Sequence, residues 1–421
     1  MEHPPKPNWR GVLSEPRRAL PLEPPWSGKR CSTPRAYRCR PRDMGSRTQE
    51  DTIGDCEDPM PETMRAALLT GLRQVEVQDV PKPTPHEGWV LMKVEACGIC
   101  GSDLRYFEGE NPWSLHTLGY HKPLPPRMIL GHELAGTIEA VGRGCDESRV
   151  GDRVVALCFE VCGECPSCLR GDQQLCPNTQ HLGHGAGFDD WDLNPGGYAQ
   201  YCLVWENRAL PLPQAIAYGE AAFLDGLAVA VHAVKRVGVG EGDHCLVLGC
   251  GPIGLLCAQV AAARGAEVIA TEIDRAARGH AQRLVRGAVL DPSETDPGEF
   301  ALRATEGFGV QGVIDTTGSL AAQESGIACL APAGGMVFLA GPADGLHIGL
   351  KEIAGERWYS TSANFDPPEL QEAIDLLAAG DVSVEGLITH HFPLDDAAEA
   401  LDTMDRKKET GAYKIIIQPW L

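Results

Sequence analysis

Four cysteines set the first chemical constraint. Cys162, Cys165, Cys168 and Cys176 are spaced C-x2-C-x2-C-x7-C. A Zn²⁺ ion takes four thiolates at the corners of a tetrahedron, each about 2.3 Å from the metal. Two-residue gaps let a tight turn aim successive thiolates at one point, and Gly163 and Pro166 suit such turns. The longer gap lets the chain return with the fourth. An iron–sulfur cluster uses similar ligands, but zinc is the expected metal. Four protein ligands leave no open position, so this site is structural rather than catalytic. Cys158 falls outside the spacing and is read as a core residue.

A glycine motif sets the second. Gly249, Gly251 and Gly254 form G-x-G-x-x-G, with Pro252 and Ile253 inside it. The apolar run Cys245 to Leu248 before it reads as a buried strand, and Ile253 to Ala263 after it as a helix. Val268 to Thr271 reads as a second strand, with Glu272 at its end. Strand, glycines, helix, strand and terminal acid together form a dinucleotide-binding fingerprint. Gly249 allows the tight turn, Gly251 lets backbone approach a pyrophosphate at the helix N-terminus, and Gly254 lets helix and strand pack closely. The competing reading is a βαβ unit whose glycines serve packing alone. Glu272 lies where a carboxylate takes ribose hydroxyls and repels a 2′-phosphate. NAD(H) is therefore expected over NADP(H), with Arg275 the one nearby feature that opposes this.

The elements that must hold these groups follow from the rest of the chain. Val313 to Asp315 and Met336 to Ala340 continue the parallel-strand pattern, with a helix from Ala321 to Leu330 between them. The class is α/β, with a doubly wound parallel sheet over 226–361. Further on, Asp366-Pro367-Pro368-Glu369 reads as a capping box with proline in the first turn. Leu370, Ile374 and Leu377 share the face of the helix it opens, Gly380 ends that helix, and Tyr413 to Ile417 reads as a terminal strand.

Composition narrows the function. The 421 residues carry 58 acids and 37 bases, a formal charge of −21, which argues against a nucleic-acid binder. No apolar run is long enough to span a membrane. Residues 1–63 hold 11 of the 32 prolines and 11 of the bases without helical or strand periodicity, and read as a disordered extension. They lack the apolar core of a secretory signal, and a cytoplasmic location with free thiols is expected. Met64 begins the first credible strand.

A third constellation joins Cys100-Gly101-Ser102-Asp103, Gly131-His132-Glu133 and Gly151-Asp152-Arg153-Val154 to the four-cysteine lobe and the glycine motif, in that order. The combination resembles the zinc-dependent medium-chain alcohol dehydrogenases, in particular the sorbitol (polyol), butanediol and threonine dehydrogenase branch. The likeness covers about residues 64–421. It implies a β-rich GroES-like catalytic domain with a structural zinc lobe over 64–225, a Rossmann NAD-binding domain over 226–361, and a return to the catalytic domain over 362–421.

The resemblance makes Cys100, rather than Cys97, and His132 the core ligands of a catalytic zinc, the second of two per chain. Glu133 lies behind that metal, and Asp103 holds the His132 imidazole. The polyol branch usually has Glu-Pro at the third-ligand position, where this chain has Asp225-Gly226. Asp225 then binds zinc directly, through water, or not at all. The competing reading is a helix-capping aspartate before Leu227 to Val234.

The implied reaction passes a hydride from a primary or secondary alcohol to NAD⁺, giving an aldehyde or ketone, with Ser102 accepting the alcohol proton. Arg105 stands where the family often has a proton-relaying histidine and cannot act as a base at neutral pH. His121, His181 and His184 are expected to be surface or loop residues. The substrate is a small-molecule alcohol of polyol, diol or hydroxy-amino-acid type, and the assembly a homodimer or homotetramer. The alternative function is a catalytically impaired dehydrogenase fold serving as a redox or ligand sensor.

Overall fold

The computed structural model describes residues 62–341 and 343–421. Except for Glu62 and Thr63, the extension expected over 1–63 lies outside the described residues. Three apolar runs become adjacent parallel strands, His244–Leu248 between Glu267–Thr271 and Val310–Asp315. Gly287–Leu290 adds at one edge, and Leu330–Phe338 followed by Trp358–Thr361 at the other, completing a six-stranded parallel sheet. The central strands are buried on both faces, as a sheet covered by helices requires. Strand order reverses at His244–Leu248, which opens a crevice at the carboxyl ends of the strands where ligands bind in such sheets.

The sequence reading met two boundaries it could not place. The helix expected over 321–330 runs Leu320–Ala328, because Leu330 already begins the next strand. That strand reaches back through Ala331-Pro332-Ala333-Gly334, with Ala333 at φ 60°, a stretch whose residue types hide it. The helix Pro367–Ala379 follows its expectation, with Leu370 and Ile374 buried and Gly380 closing it at φ 77°.

A second, mixed sheet positions the remaining chemistry. In spatial order it holds Ala209–Pro211, Arg153–Ala156, Glu133–Val141, Trp89–Gly98, Lys414–Gln418 and Ile388–Pro393, with Tyr201–Trp205 also paired to Trp89–Gly98. The final strand lies antiparallel to Trp89–Gly98, Ile416 opposite Gly98 and Ile417 opposite Cys97. The chain's end therefore arrives beside Cys100. Between the two sheets runs the helix Leu224–Val237, whose Leu227, Val231 and Val234 are wholly buried. No helix among the described residues is long and apolar enough to cross a membrane.

Candidate active site and metal centres

The lobe cysteines converge. Sγ–Sγ separations are 3.4 Å for Cys165–Cys168, 3.6 Å for Cys162–Cys176, 3.9 Å for Cys165–Cys176 and 4.0 Å for Cys162–Cys168. A tetrahedron with 2.3 Å arms has edges of about 3.8 Å, so the donor set fits zinc. All four thiols are free. Burial works against ionising Cys162, but N–H donors from Glu164 and Cys165 outweigh it and bring that thiol to about 7. Cys158 is a core residue, wholly buried, its thiol donating to the His132 carbonyl.

Cys100, His132 and Glu133 each present one donor atom, and the three atoms lie within 4.8 Å of one another. Cys100 caps the helix Gly101–Phe107, while Glu133 opens the strand Glu133–Val141 and His132 immediately precedes it. Gly98 lies opposite Glu133 in register. A Cβ on Gly98 would collide with the Glu133 carboxylate and the Lys414 side chain, so a larger residue there would displace that pair. Cys97 is buried in the hydrophobic core and stands apart from this set.

Asp103 is wholly buried and ties the set together. Its Oδ2 accepts from the Cys100 backbone N–H at 2.9 Å and from the Tyr198 hydroxyl at 2.9 Å. Its Oδ1 accepts from the Gly131 N–H at 3.4 Å and lies 3.6 Å from His132 Nδ1. The one carboxylate thus fixes the backbone on both sides of the Cys/His pair and faces the imidazole. Cysteine, imidazole and carboxylate form a donor set suited to catalytic zinc. Ser102 Oγ is buried and has no hydrogen-bond partner among the described residues.

Asp225 lies outside the 4.8 Å set, yet the charges that act on it belong to His132, Glu133, Lys414 and Asp103. Burial pushes its carboxyl up to about 6. The capping alternative fails: the helix begins at Leu224 with Phe223 at the cap, and Asp225 sits inside the first turn. The Leu224 residue type carries no capping signal, so sequence placed the start too late.

At the glycine motif, Gly249 has φ 89° and a Cβ there would strike Thr316 and Thr317. A Cβ on Gly254 would clash with the Gly249 carbonyl. Gly251 faces open space at the start of the helix Pro252–Ala263, the room a pyrophosphate needs. Pro252 occupies the first helical position and Ile253 follows it. Glu272 accepts from the Cys250 N–H at 2.8 Å and the Asp274 N–H at 2.8 Å. Arg275 is exposed at the start of the next helix.

Sequence reasoning missed three parts of this site. Lys414 is buried and ion-paired with Glu133; a lone lysine opening the apolar run Lys-Ile-Ile-Ile was the available signal. Tyr198 anchors Asp103 with no motif to mark it. His181 and His184 are not surface residues. The His184 ring meets His132 edge to face at 4.2 Å and stacks on His181 at 4.1 Å. Burial, reinforced by the neighbouring imidazoles, holds both well below the usual histidine range. His121 is exposed as expected. Arg105 is committed to Glu110 at 2.8 Å and His116 at 3.1 Å.

Comparison with known proteins bears on the family. Residues 86–214 match the alcohol dehydrogenase GroES-like domain and residues 252–379 the zinc-binding dehydrogenase family. A sorbitol dehydrogenase of Halalkalibacterium halodurans is 30% identical over 363 residues, 85% of this chain and 99% of that protein. An (R,R)-butanediol dehydrogenase of Neisseria gonorrhoeae is 29% identical over 361 residues, covering 85% and 99%. The crystal structure of 2R,3R-butanediol dehydrogenase from Bacillus subtilis superposes with a TM-score of 0.71 at 27% identity, covering 85% and 99%. A zinc-binding dehydrogenase from Sinorhizobium meliloti 1021, bound to NADP, gives 0.73 at 28% identity, covering 85% and 100%.

The chain belongs to the zinc-dependent medium-chain alcohol dehydrogenase family. It is an oxidoreductase that converts CH–OH to a carbonyl with a nicotinamide dinucleotide as hydride acceptor.

Proposed function

We propose that the chain oxidises a polyol or vicinal diol with NAD⁺, at a catalytic zinc held by Cys100, His132 and Asp225 with Glu133 behind it. The carrying observation is the convergence of Cys100, His132 and Glu133, with the buried hydroxyl of Ser102, two residues after Cys100, left without a partner among the described residues. Zinc in that position supplies Lewis acidity, lowering the pKa of an alcohol that meets it. Ser102 takes the alcohol proton, since Arg105 has no basic form at neutral pH. Asp103 keeps the His132 ring oriented through the contacts it makes on both sides. Gly249, Gly251, Pro252, Ile253 and Gly254 seat the cofactor diphosphate, and Glu272 takes the adenosine ribose hydroxyls, which favours NAD(H) over NADP(H).

A second zinc joins Cys162, Cys165, Cys168 and Cys176 and holds the lobe together. Residues 64–225 with 362–421 act as the catalytic domain and 226–361 as the cofactor domain. The protein works as a homodimer or homotetramer, and its thiolate cluster suits the reducing cytoplasm. The test is NADH formation by zinc-replete protein over a panel of polyols, sugars, diols and threonine, with Cys100→Ala as control. Turnover of a polyol or diol, abolished in Cys100→Ala, is the expected result. No turnover on any member, or turnover unchanged in the variant, contradicts it.

A further inference from the structure

The loop that carries His181 and His184 is pressed onto the active site. A Cβ on Gly183 would run into the Gly131 backbone, one residue before His132. The Tyr106 hydroxyl donates to the His184 carbonyl at 2.7 Å and fixes the loop from the other side. His184 meets the ring of His132 edge to face at 4.2 Å and stacks on the parallel ring of His181 at 4.1 Å, and His181 itself meets His132 edge to face at 6.1 Å. Both nitrogens of His184 and Nδ1 of His181 are closed off from solvent and have no hydrogen-bond partner among the described residues.

Buried polar atoms without partners are costly and call for an explanation. The His181 and His184 rings both stand against His132 of the Cys/His pair, and the Ser102 hydroxyl, two residues after Cys100, is likewise unpartnered among the described residues. A neutral imidazole carries one donor and one acceptor nitrogen, the same pair of capacities a hydroxyl has. Gly183, Gly185 and Gly187 all hold positive φ, and a Cβ at any of them would strike its neighbours, so the close seat of this loop on the site depends on glycine.

We propose that His184, backed by the stacked ring of His181, binds a second hydroxyl of the substrate, beside the carbon being oxidised, and so selects vicinal diols and polyols over simple alcohols. This rests on the dehydrogenase reading above. Neither histidine touches the reacting carbon; both set which alcohol is held there.

The test compares kcat/KM for a vicinal butanediol with that for the butanol lacking its second hydroxyl, using the full zinc-replete chain. Wild type favours the diol. His184→Phe keeps a ring against His132 but removes both nitrogens, and lowers the diol-to-monoalcohol ratio about tenfold or more. His184→Gln, which keeps a donor and an acceptor, retains part of the ratio. His184→Leu carries the same comparison should the phenylalanine variant not fold. Two readouts do not depend on turnover: zinc per chain stays at the wild-type value in each variant, and the thermal shift produced by the diol is lost in His184→Phe. An unchanged ratio in His184→Phe, or loss of zinc from it, overturns the inference. A wild type that turns over the monoalcohol as well as the diol overturns it while leaving the dehydrogenase reading intact. A wild type that oxidises no alcohol removes both.

Discussion

Lys414, on the last strand of the chain, forms a buried ion pair with Glu133, the residue next to His132. Removing one partner of such a pair leaves an uncompensated buried charge, a loss of about 3–5 kcal/mol. Lys414→Met is therefore expected to destabilise the protein by about that amount in urea unfolding. Glu133→Gln combined with Lys414→Met should recover most of the loss, because neither charge then remains. A double variant as unstable as the sum of the singles contradicts the pairing.

On the proposed zinc site, Asp225 is expected to act in opposite directions with and without metal. Burial raises its carboxyl to about 6, above its unfolded value of about 3.9. In zinc-stripped protein, ionising it therefore opposes folding: the cost is absent below the unfolded value and fully developed above about 6. Stripped Asp225→Asn should melt higher than stripped wild type at neutral pH and above, and the gap should close toward pH of about 4. With zinc restored, Asn should instead cost turnover or metal affinity on the order of 10–100-fold. Asp225→Glu, the residue the polyol branch carries, should hold zinc. Asp225→Asn with full activity and full metal would remove Asp225 from the site.

The proposed preference for NAD(H) rests on Glu272. Glu272→Ala should weaken NAD⁺ binding in steady-state kinetics and narrow the preference over NADP⁺, since the carboxylate no longer repels a 2′-phosphate. A wild type that prefers NADP(H) would mean that the exposed Arg275 decides instead.

The lobe should depend on its metal. Cys168→Ala is expected to lose one zinc and to lower the melting temperature, while the Cys100/His132 donor set keeps the other. Retention of both metals, with stability unchanged, would leave the Sγ tetrahedron without a function.

The sequence carried most of the parallel sheet because its strands are apolar on both faces and its glycines are needed for backbone reasons. Gly249 turns at positive φ and Gly254 packs against a carbonyl, and no other residue type satisfies either. The cysteine lobe was legible for a similar reason, since its ligands are local and their spacing is their geometry. Lys414, Tyr198 and His184 were not legible. Each reaches the site through a long-range approach, Lys414 from 281 residues beyond Glu133 and Tyr198 from 95 beyond Asp103. No local pattern marks such a residue; only the antiparallel pairing of the last strand and the folding of the glycine loop bring them in. Asp225 was half-legible: its neighbourhood to an apolar helix was read, but a helix that starts at Leu224 without a polar cap gives no sequence sign of its first turn, and Asp225 lies inside that turn rather than before it.

We propose two zinc sites per chain, one open at Cys100 and His132 and one closed by four thiolates. Elemental analysis of purified wild type and Cys100→Ala, with circular dichroism to establish folding, decides it. Two zinc ions per wild-type chain and one per folded, inactive Cys100→Ala chain are expected. Two zinc ions retained in Cys100→Ala, or a single zinc in a fully active wild type, would contradict it.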